Sequence, residues 1–301
     1  MVTDFLSLAE LTRDEVLALL DLADDLKRKQ RYGEEHHYLK GKTLAMIFEK
    51  ASLRTRVTFE VGMFQLGGQA VLLETELGRR ESVPDVARNL GRWVHGIVAR
   101  TYRHEDVITL AEHASVPVVN ALTDKLHPCQ ILADVQTLRE HKRKDVSGLA
   151  IAFVGDGNNV FNSWVEFALH FAIDLRLACP PGYESDPALL AAARERGKGR
   201  VLVTHDVHEA AAGADVIYTD VWTSMGQEKE AAERNAAFAP YQVNAGIMAQ
   251  AKPDAIFMHC LPAKRGLEVT DDVIDGPQSV VFDEAENRMH TQKAVLVTLM
   301  G

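Results

Sequence analysis

At 301 residues the chain is long for one hydrophobic core and comfortable for two, so two domains with ample buried interior are expected. Its 33 basic residues stand against 43 acidic ones, a formal charge of −10, which argues against a nucleic-acid or membrane-surface role carried by the whole surface. Any anion site must be a local cluster of cations.

Cys129, Cys179 and Cys260 lie far apart with no C-x-x-C pair, so the spacing suggests neither a disulfide framework nor a zinc site, and reduced thiols are expected. No stretch approaches the roughly 20 apolar residues of a membrane span. The start "MVTDFLSLAELTRDEV" lacks a basic flank with an apolar signal core, so a cytosolic chain read from Met1 is expected.

The first 40 residues hold one helical pattern, with Leu17 and Leu20 at helical spacing and Thr12 with Glu15 as a capping box. Buried strands are then expected at "TLAMIF" (43–48), "QAVLL" (69–73), "GIVAR" (96–100) and "VPVVNA" (116–121), with helical segments between them. A long helix over 130–144 follows. A second series of strands is expected at 149–154, 175–179, 200–204, 215–219, 255–259 and "SVVFD" (279–283), and a last helix from residue 284. Such alternation calls for an α/β fold of two domains, each a mostly parallel sheet flanked by helices on both faces. The junction is placed near residue 142, giving domains over 1–141 and 142–283, with the C-terminal helix 284–301 packing back on the first. No internal repeat or low-complexity segment is visible.

Ligands of open α/β sheets bind beyond the carboxyl ends of the strands, so residues following each strand are the candidates. Ser52, Arg54, Thr55 and Arg56 follow the first strand where a helix begins; backbone N–H groups, hydroxyls and guanidinium forks there suit phosphate oxygens. The alternative is a capped helix whose arginines pair with Glu49 or Glu60. No Walker loop occurs. Arg100 ends a buried strand, either snorkelling or meeting a ligand. "HPCQ" (127–130) puts an imidazole and an amide at a helix start, either to serve a carbonyl oxygen or simply to cap; a His-x-Cys metal pair lacks further ligands nearby.

"VGDGNNV" invites a dinucleotide reading, but Val160 replaces the third glycine and no acid follows the next strand, where the sequence reads "CPPGYES". Asn158 and Asn159 remain as amides for a polar substrate. Asp220, Ser224 and Met225 follow another strand and "HCLP" (259–262) follows a third, so a carboxylate and a thiol are available to handle an amine or a proton. A small buried hydrophobe is the ordinary alternative for Cys260.

Taken together, "FEKASLRTRVTFEVG", "HPCQ", "DVWTSMGQE" and "HCLP", in this order, resemble the motifs of the aspartate/ornithine carbamoyltransferase family over almost the whole chain. The resemblance implies a first domain that binds carbamoyl phosphate and a second that binds L-ornithine. It implies phosphate held by Ser52, Arg54 and Thr55, with Leu53 acting through its backbone N–H. Arg100, His127 and Gln130 would surround the carbamoyl group, and Arg288 in "ENRMH" would complete that side. Asn159, Asp220, Ser224 and Met225 would bind ornithine, and Cys260 and Leu261 would stand between the two substrates. It also implies a homotrimer or an assembly of trimers and no metal or organic cofactor.

Two departures from the family pattern stand out. Leu53 occupies a position where many relatives have threonine, and Glu76 one where glutamine is common, in a loop that in the family reaches a neighbouring subunit's site. Arg79 or Arg80 is expected to compensate for an acid beside phosphate.

The chemistry so implied is carbamoyl transfer to an amine through a tetrahedral centre, with negative charge growing on its oxygen and on the departing phosphate. Arg54, Thr55, Arg100 and His127 suit that charge. Asp220 and Cys260 are expected to orient the amine, with a thiolate favoured by nearby cations taking its proton and no acyl-enzyme forming. The rivals are transfer to putrescine, acetylornithine or aspartate, and a non-catalytic subunit that kept the fold.

Overall fold

The computed structural model describes residues 3–224 and 226–301 and divides into two compact units, Met1–Gln136 with Glu286–Gly301, and Thr137–Ala285. The first unit begins with helix α1 (Arg13–Arg31), started by the Thr12–Glu15 capping box. It continues through β1 (Thr43–Phe48), α2 (Leu53–Gln65), β2 (Gln69–Leu73), α3 (Val83–Trp93), β3 (Gly96–Arg100), α4 (His104–His113), β4 (Val118–Leu122) and α5 (Pro128–His141). Its four strands are parallel in the order β2-β1-β3-β4. β1 is buried almost end to end, and Ile47, Ile97 and Val118 pack with Ala87 and Leu90 of α3 and Val107 and Leu110 of α4. Continuous apolar strands of this kind are what a sheet covered by helices requires.

The second unit runs through β5 (Ala150–Val154), α6 (Asn159–His170), β6 (Asp174–Ala178), α7 (Pro187–Arg196), β7 (Arg200–Thr204), α8 (Val207–Ala211), β8 (Val216–Thr219), α9 (Ala231–Phe238), α10 (Ala245–Met248), β9 (Ile256–His259) and α11 (Asp271–Ile274). Its parallel sheet has the order β7-β6-β5-β8-β9. One face carries Ala152, Val154, Ile217 and Phe257 against Phe238, Ile247 and Met248. An aromatic group lies on the other, where Phe153 stacks on Tyr218 with ring centroids 5.1 Å apart and Phe161 meets Phe153 edge-on.

The expected strand at 279–283 is not formed. Ser279 makes a single bridge to Phe257, and α12 (Val281–Met300) has already begun. A short apolar run such as "SVVF" has no period of its own, so it reads equally as a strand or as the first turn of a helix.

Sheet order fixes where ligands can bind. In the first unit the chain turns from β2 on one side of β1 to β3 on the other, and Phe48 and Arg100 are register partners at that reversal. In the second, β6 and β7 lie on one side of β5 while β8 and β9 lie on the other, and Val154 pairs with Thr219 at the carboxyl edge. Diverging connections leave a crevice at each reversal. No described helix is long and apolar enough to cross a membrane.

Candidate active site

At the first unit's crevice, Ser52 caps α2 and its Oγ accepts the Thr55 N–H at 3.3 Å. The first turn of a helix leaves N–H groups without intrahelical acceptors, and the helix dipole places positive potential there. Thr55 is fully buried, and its Oγ1 accepts from Arg288 Nη2 of α12 at 2.7 Å, which leaves the hydroxyl proton available to donate outward. Arg288 Nη1 donates to Gln130 Oε1, and Gln130 Nε2 donates to Asp134 Oδ1 at 2.8 Å. Arg288 Nε is buried and finds no acceptor among the described residues, so a buried guanidinium is left with an N–H to offer an anion.

His127, at the N-terminal edge of α5, is buried, and burial pushes its pKa well below the ordinary histidine value, with Arg288 and then Arg100 adding to the shift. The ring is therefore neutral around pH 7 and serves as a hydrogen-bond donor without exchanging its proton. Arg100 is itself buried at the end of β3.

Thr55, Gln130 and Arg288 are thus bonded directly, and Arg100 and His127 act on one another. Other expected residues are not gathered with them. Leu53 is 75% exposed, so its side chain contributes nothing to the cluster and only its backbone N–H remains. Arg56 turns back along α2, its Nε donating to Glu60 Oε1 at 3.1 Å. Glu76 pairs with Arg79 at 3.1 Å on the surface, which neutralises the acid within its own loop. Both residues line an open cavity of about 950 Å³ together with Lys50, Ser52 and Arg80.

Glu49, considered from the sequence only as a partner for the arginines, instead joins two backbone segments. Its Oε1 accepts the Leu77 N–H and its Oε2 the Tyr102 N–H, both at 2.7 Å, so one carboxylate ties the 76–80 loop to the segment after β3. Lys50 is buried with its Nζ 4.2 Å from the centroid of the Tyr102 ring. Both directly follow a strand, the position that the crevice rule singles out.

In the second unit, Asp220 follows β8 and is nearly buried. Its Oδ1 accepts the Val221 N–H at 2.7 Å and the Cys260 thiol at 3.1 Å, and its Oδ2 accepts Asn158 Nδ2 at 2.8 Å. Asn158 also caps α6, taking the N–H groups of Val160 and Phe161, so one amide locks both the helix and the carboxylate. Asn159, the residue expected to meet ornithine, is the first residue of α6, directly after this cap. The thiol donates to a carboxylate, a geometry that holds it as S–H. A carboxylate beside the thiol works against the expected thiolate. Ser224 lies on the loop beyond, its N–H donating to Gln227 Oε1 at 3.0 Å. Met225 lies outside the described residues.

The segment carrying Cys260 is held from behind by groups that the sequence did not disclose. His259 is fully buried, and its Nδ1 accepts the Leu261 N–H at 2.9 Å. An amide can only donate, so the ring proton sits on Nε2, which faces Glu268 Oε1 at 3.2 Å. Glu284 accepts the His259 N–H at 3.0 Å and the Tyr218 hydroxyl at 3.3 Å. These contacts hold Leu261 at φ +55°, a left-handed conformation costly for a leucine. Nearby, burial raises Asp156 to about 6, and Arg234, paired with it and donating to the Trp222 carbonyl, opposes that rise.

Comparison with known proteins agrees with this geometry. Residues 3–140 match the family description "Aspartate/ornithine carbamoyltransferase, carbamoyl-P binding domain", and residues 147–299 match its "Asp/Orn binding domain". The ornithine carbamoyltransferase of Pelobacter propionicus is 53% identical over 304 aligned positions that cover 100% of this chain and 99% of that protein. Solved structures of ornithine carbamoyltransferase from Pyrococcus furiosus (50% identical, TM-score 0.94) and Thermus thermophilus (49%, TM-score 0.91) each cover 100% of this chain, and 99% and 100% of their own. The chain belongs to the aspartate/ornithine carbamoyltransferase family.

Proposed function

We propose that the chain transfers the carbamoyl group of carbamoyl phosphate to the δ-amine of L-ornithine, giving L-citrulline and phosphate. Carbamoyl phosphate belongs to the first unit, held by Ser52, Leu53 N–H, Arg54, Thr55, Arg100, His127, Gln130 and Arg288. Ornithine belongs to the second, held by Asn159, Asp220, Ser224, Met225 and Cys260, with Asn158 fixing the carboxylate.

Two problems of charge must be met. The carbonyl oxygen and the phosphate both gain negative charge as the tetrahedral centre forms and collapses. Fixed cations and the neutral His127 N–H stabilise them without reorganising, and one such donor is typically worth about 10²–10³ in rate. The amine, with an ordinary pKa near 10.4, pays about 4.6 kcal/mol to become the free base at pH 7. Asp220 accepts its proton or holds the ammonium oriented while the proton leaves. Cys260, donating to the same carboxylate, positions it and forms no acyl-enzyme, since the substrate brings its own nucleophile.

The observation that carries this reading is the Asp220 carboxylate, buried and held by a thiol, an amide and a backbone N–H, with no ion pair to a cation among the described residues. It suits a cationic amine substrate. Steady-state assays with ornithine, putrescine, acetylornithine and aspartate in parallel test it, with ornithine expected to give the largest kcat/KM. A larger value for any other amine overturns the reading. Cytoplasmic location, a role in arginine metabolism and a homotrimer or assembly of trimers accompany the proposal, and sedimentation of the purified protein tests the last.

A further inference from the structure

We infer that the second unit carries a site for a zinc-class divalent cation, formed by Cys179 Sγ, a carboxylate oxygen of Glu184 and His205 Nε2, apart from the residues assigned to ornithine. Cys179 directly follows β6, His205 directly follows β7, and Glu184 lies in the loop that leaves β6. Their three ligand atoms lie within 4.8 Å of one another, although their spacing in the chain shows no metal motif. Tetrahedral zinc with bonds of about 2.0–2.3 Å sets neighbouring ligand atoms roughly 3.3–3.8 Å apart. His205 Nε2 and Glu184 Oε1 are already at 3.8 Å.

Orientation supports the assignment. His205 Nδ1 lies 2.8 Å from the Cys179 carbonyl, which can only accept, so Nδ1 carries a proton and in the neutral ring Nε2, on the Glu184 side, keeps its lone pair for a metal. A second bond of this kind is how proteins fix the tautomer of a metal-binding histidine. Glu184 accepts the Gly182 N–H from both oxygens, and these bonds with its own backbone N–H hold its pKa below the ordinary value, so it is ionised. Cys179 binds as the thiolate, so its proton passes to water as the cation enters. Sulfur, imidazole and carboxylate together select zinc over magnesium or calcium, with water in the fourth position.

A second trio, Asp220, His259 and Cys260, also brings its atoms together. There, however, both His259 nitrogens are engaged, by the Leu261 N–H and by Glu268, so no lone pair is left for a metal.

The consequence of the proposed site is mechanical. A cation there joins the ends of two strands to the loop between them. That loop packs on Gly157, whose N–H donates to the Tyr183 carbonyl at 2.9 Å and where an added Cβ would stand 2.4 Å from Ser185 N. Gly157 adjoins Asn158, the partner of Asp220. The clip therefore backs the acidic half.

Untagged protein stripped of metal, titrated with Zn²⁺ by calorimetry and with Co²⁺ by absorption, tests the site. Wild type and Cys260→Ser should each bind one equivalent, with a sulfur-to-cobalt charge-transfer band. Cys179→Ser should lose the band, and Glu184→Gln and His205→Gln should weaken binding by about tenfold or more. The last two side chains are exposed, so their results stand even where Cys179→Ser fails to fold. Amide exchange over residues 180–186 should slow on Zn²⁺ addition. Absence of binding in wild type, unchanged affinity in Glu184→Gln and His205→Gln, or loss of the metal in Cys260→Ser alone would overturn the proposal.

Discussion

In the proposed reading the first unit offers its ligand the cations Arg100 and Arg288 with the neutral ring of His127, whereas the second offers a carboxylate bonded to a thiol. The difference follows from what each substrate brings. A phosphate leaving group needs positive charge already in place, because any reorganisation during the reaction adds to the barrier. An ammonium that must become a nucleophile needs an acceptor beside it. Burial serves both ends differently: it strips His127 of its proton, and it leaves Asp220 wrapped in donors.

The largest expected effect breaks the acidic side. Asp220→Asn keeps the shape but removes the charge, and kcat should fall by about 10²–10⁴ while the dissociation constant of carbamoyl phosphate is unchanged. Equal damage to both would mean that the two halves do not divide the work as described. Arg54→Ala should lower kcat/KM for carbamoyl phosphate by about 10²–10³, and equilibrium dialysis should show weaker binding of that substrate. Unaltered kinetics in this variant would remove Arg54 from the phosphate site.

The smallest effect lies beneath the first half and should touch no rate constant. Lys293 of α12 is fully buried against Gly62 of α2, its Nζ facing Gln30, His36 and Gln65, all neutral acceptors, and burial lowers it from 10.5 to about 8. Between about pH 8 and 10.5 the unfolded chain holds this proton and the folded chain does not, so stability rises with pH there; below 8 both hold it and the cost of burying the charge is fully present. The span corresponds to about 3 kcal/mol. Denaturant midpoints of wild type and Lys293→Met from pH 7 to 10.5 should converge or cross by that amount, with kcat/KM at pH 7 within about twofold. A parallel pair of curves would refute the assignment.

Much of this architecture was legible beforehand because strands covered on both faces are short uninterrupted apolar runs, and because the chemistry of such sheets gathers after their strands. The Ser52–Thr55 stretch, Arg100, "HPCQ", Asp220 and Cys260 were singled out that way, and the structure bonds Thr55 and Gln130 through Arg288, and Asp220 to Cys260. Residues acting through others escaped. Glu268 and Glu284 reach His259 from 9 and 25 positions away, and no local pattern foretells that a glutamate will be buried against a histidine. That Asn158 caps α6 and holds Asp220 was not foreseen either, because adjacent identical amides differ only in which one sits at the helix cap, a matter of backbone geometry. The acid beside Cys260 was hidden for a similar reason: β8 and β9 pair side by side, and that alignment brings Asp220 to the thiol from 40 positions away.

Arg288 joins Thr55 and Gln130 from residue 288 of 301, in the segment Glu286–Gly301 that returns to the first unit. During synthesis every residue of the second unit is joined to the chain before that guanidinium exists. A chain stopped before Arg288 would therefore carry the whole second unit while Thr55 and Gln130 of the first still lacked the guanidinium that joins them.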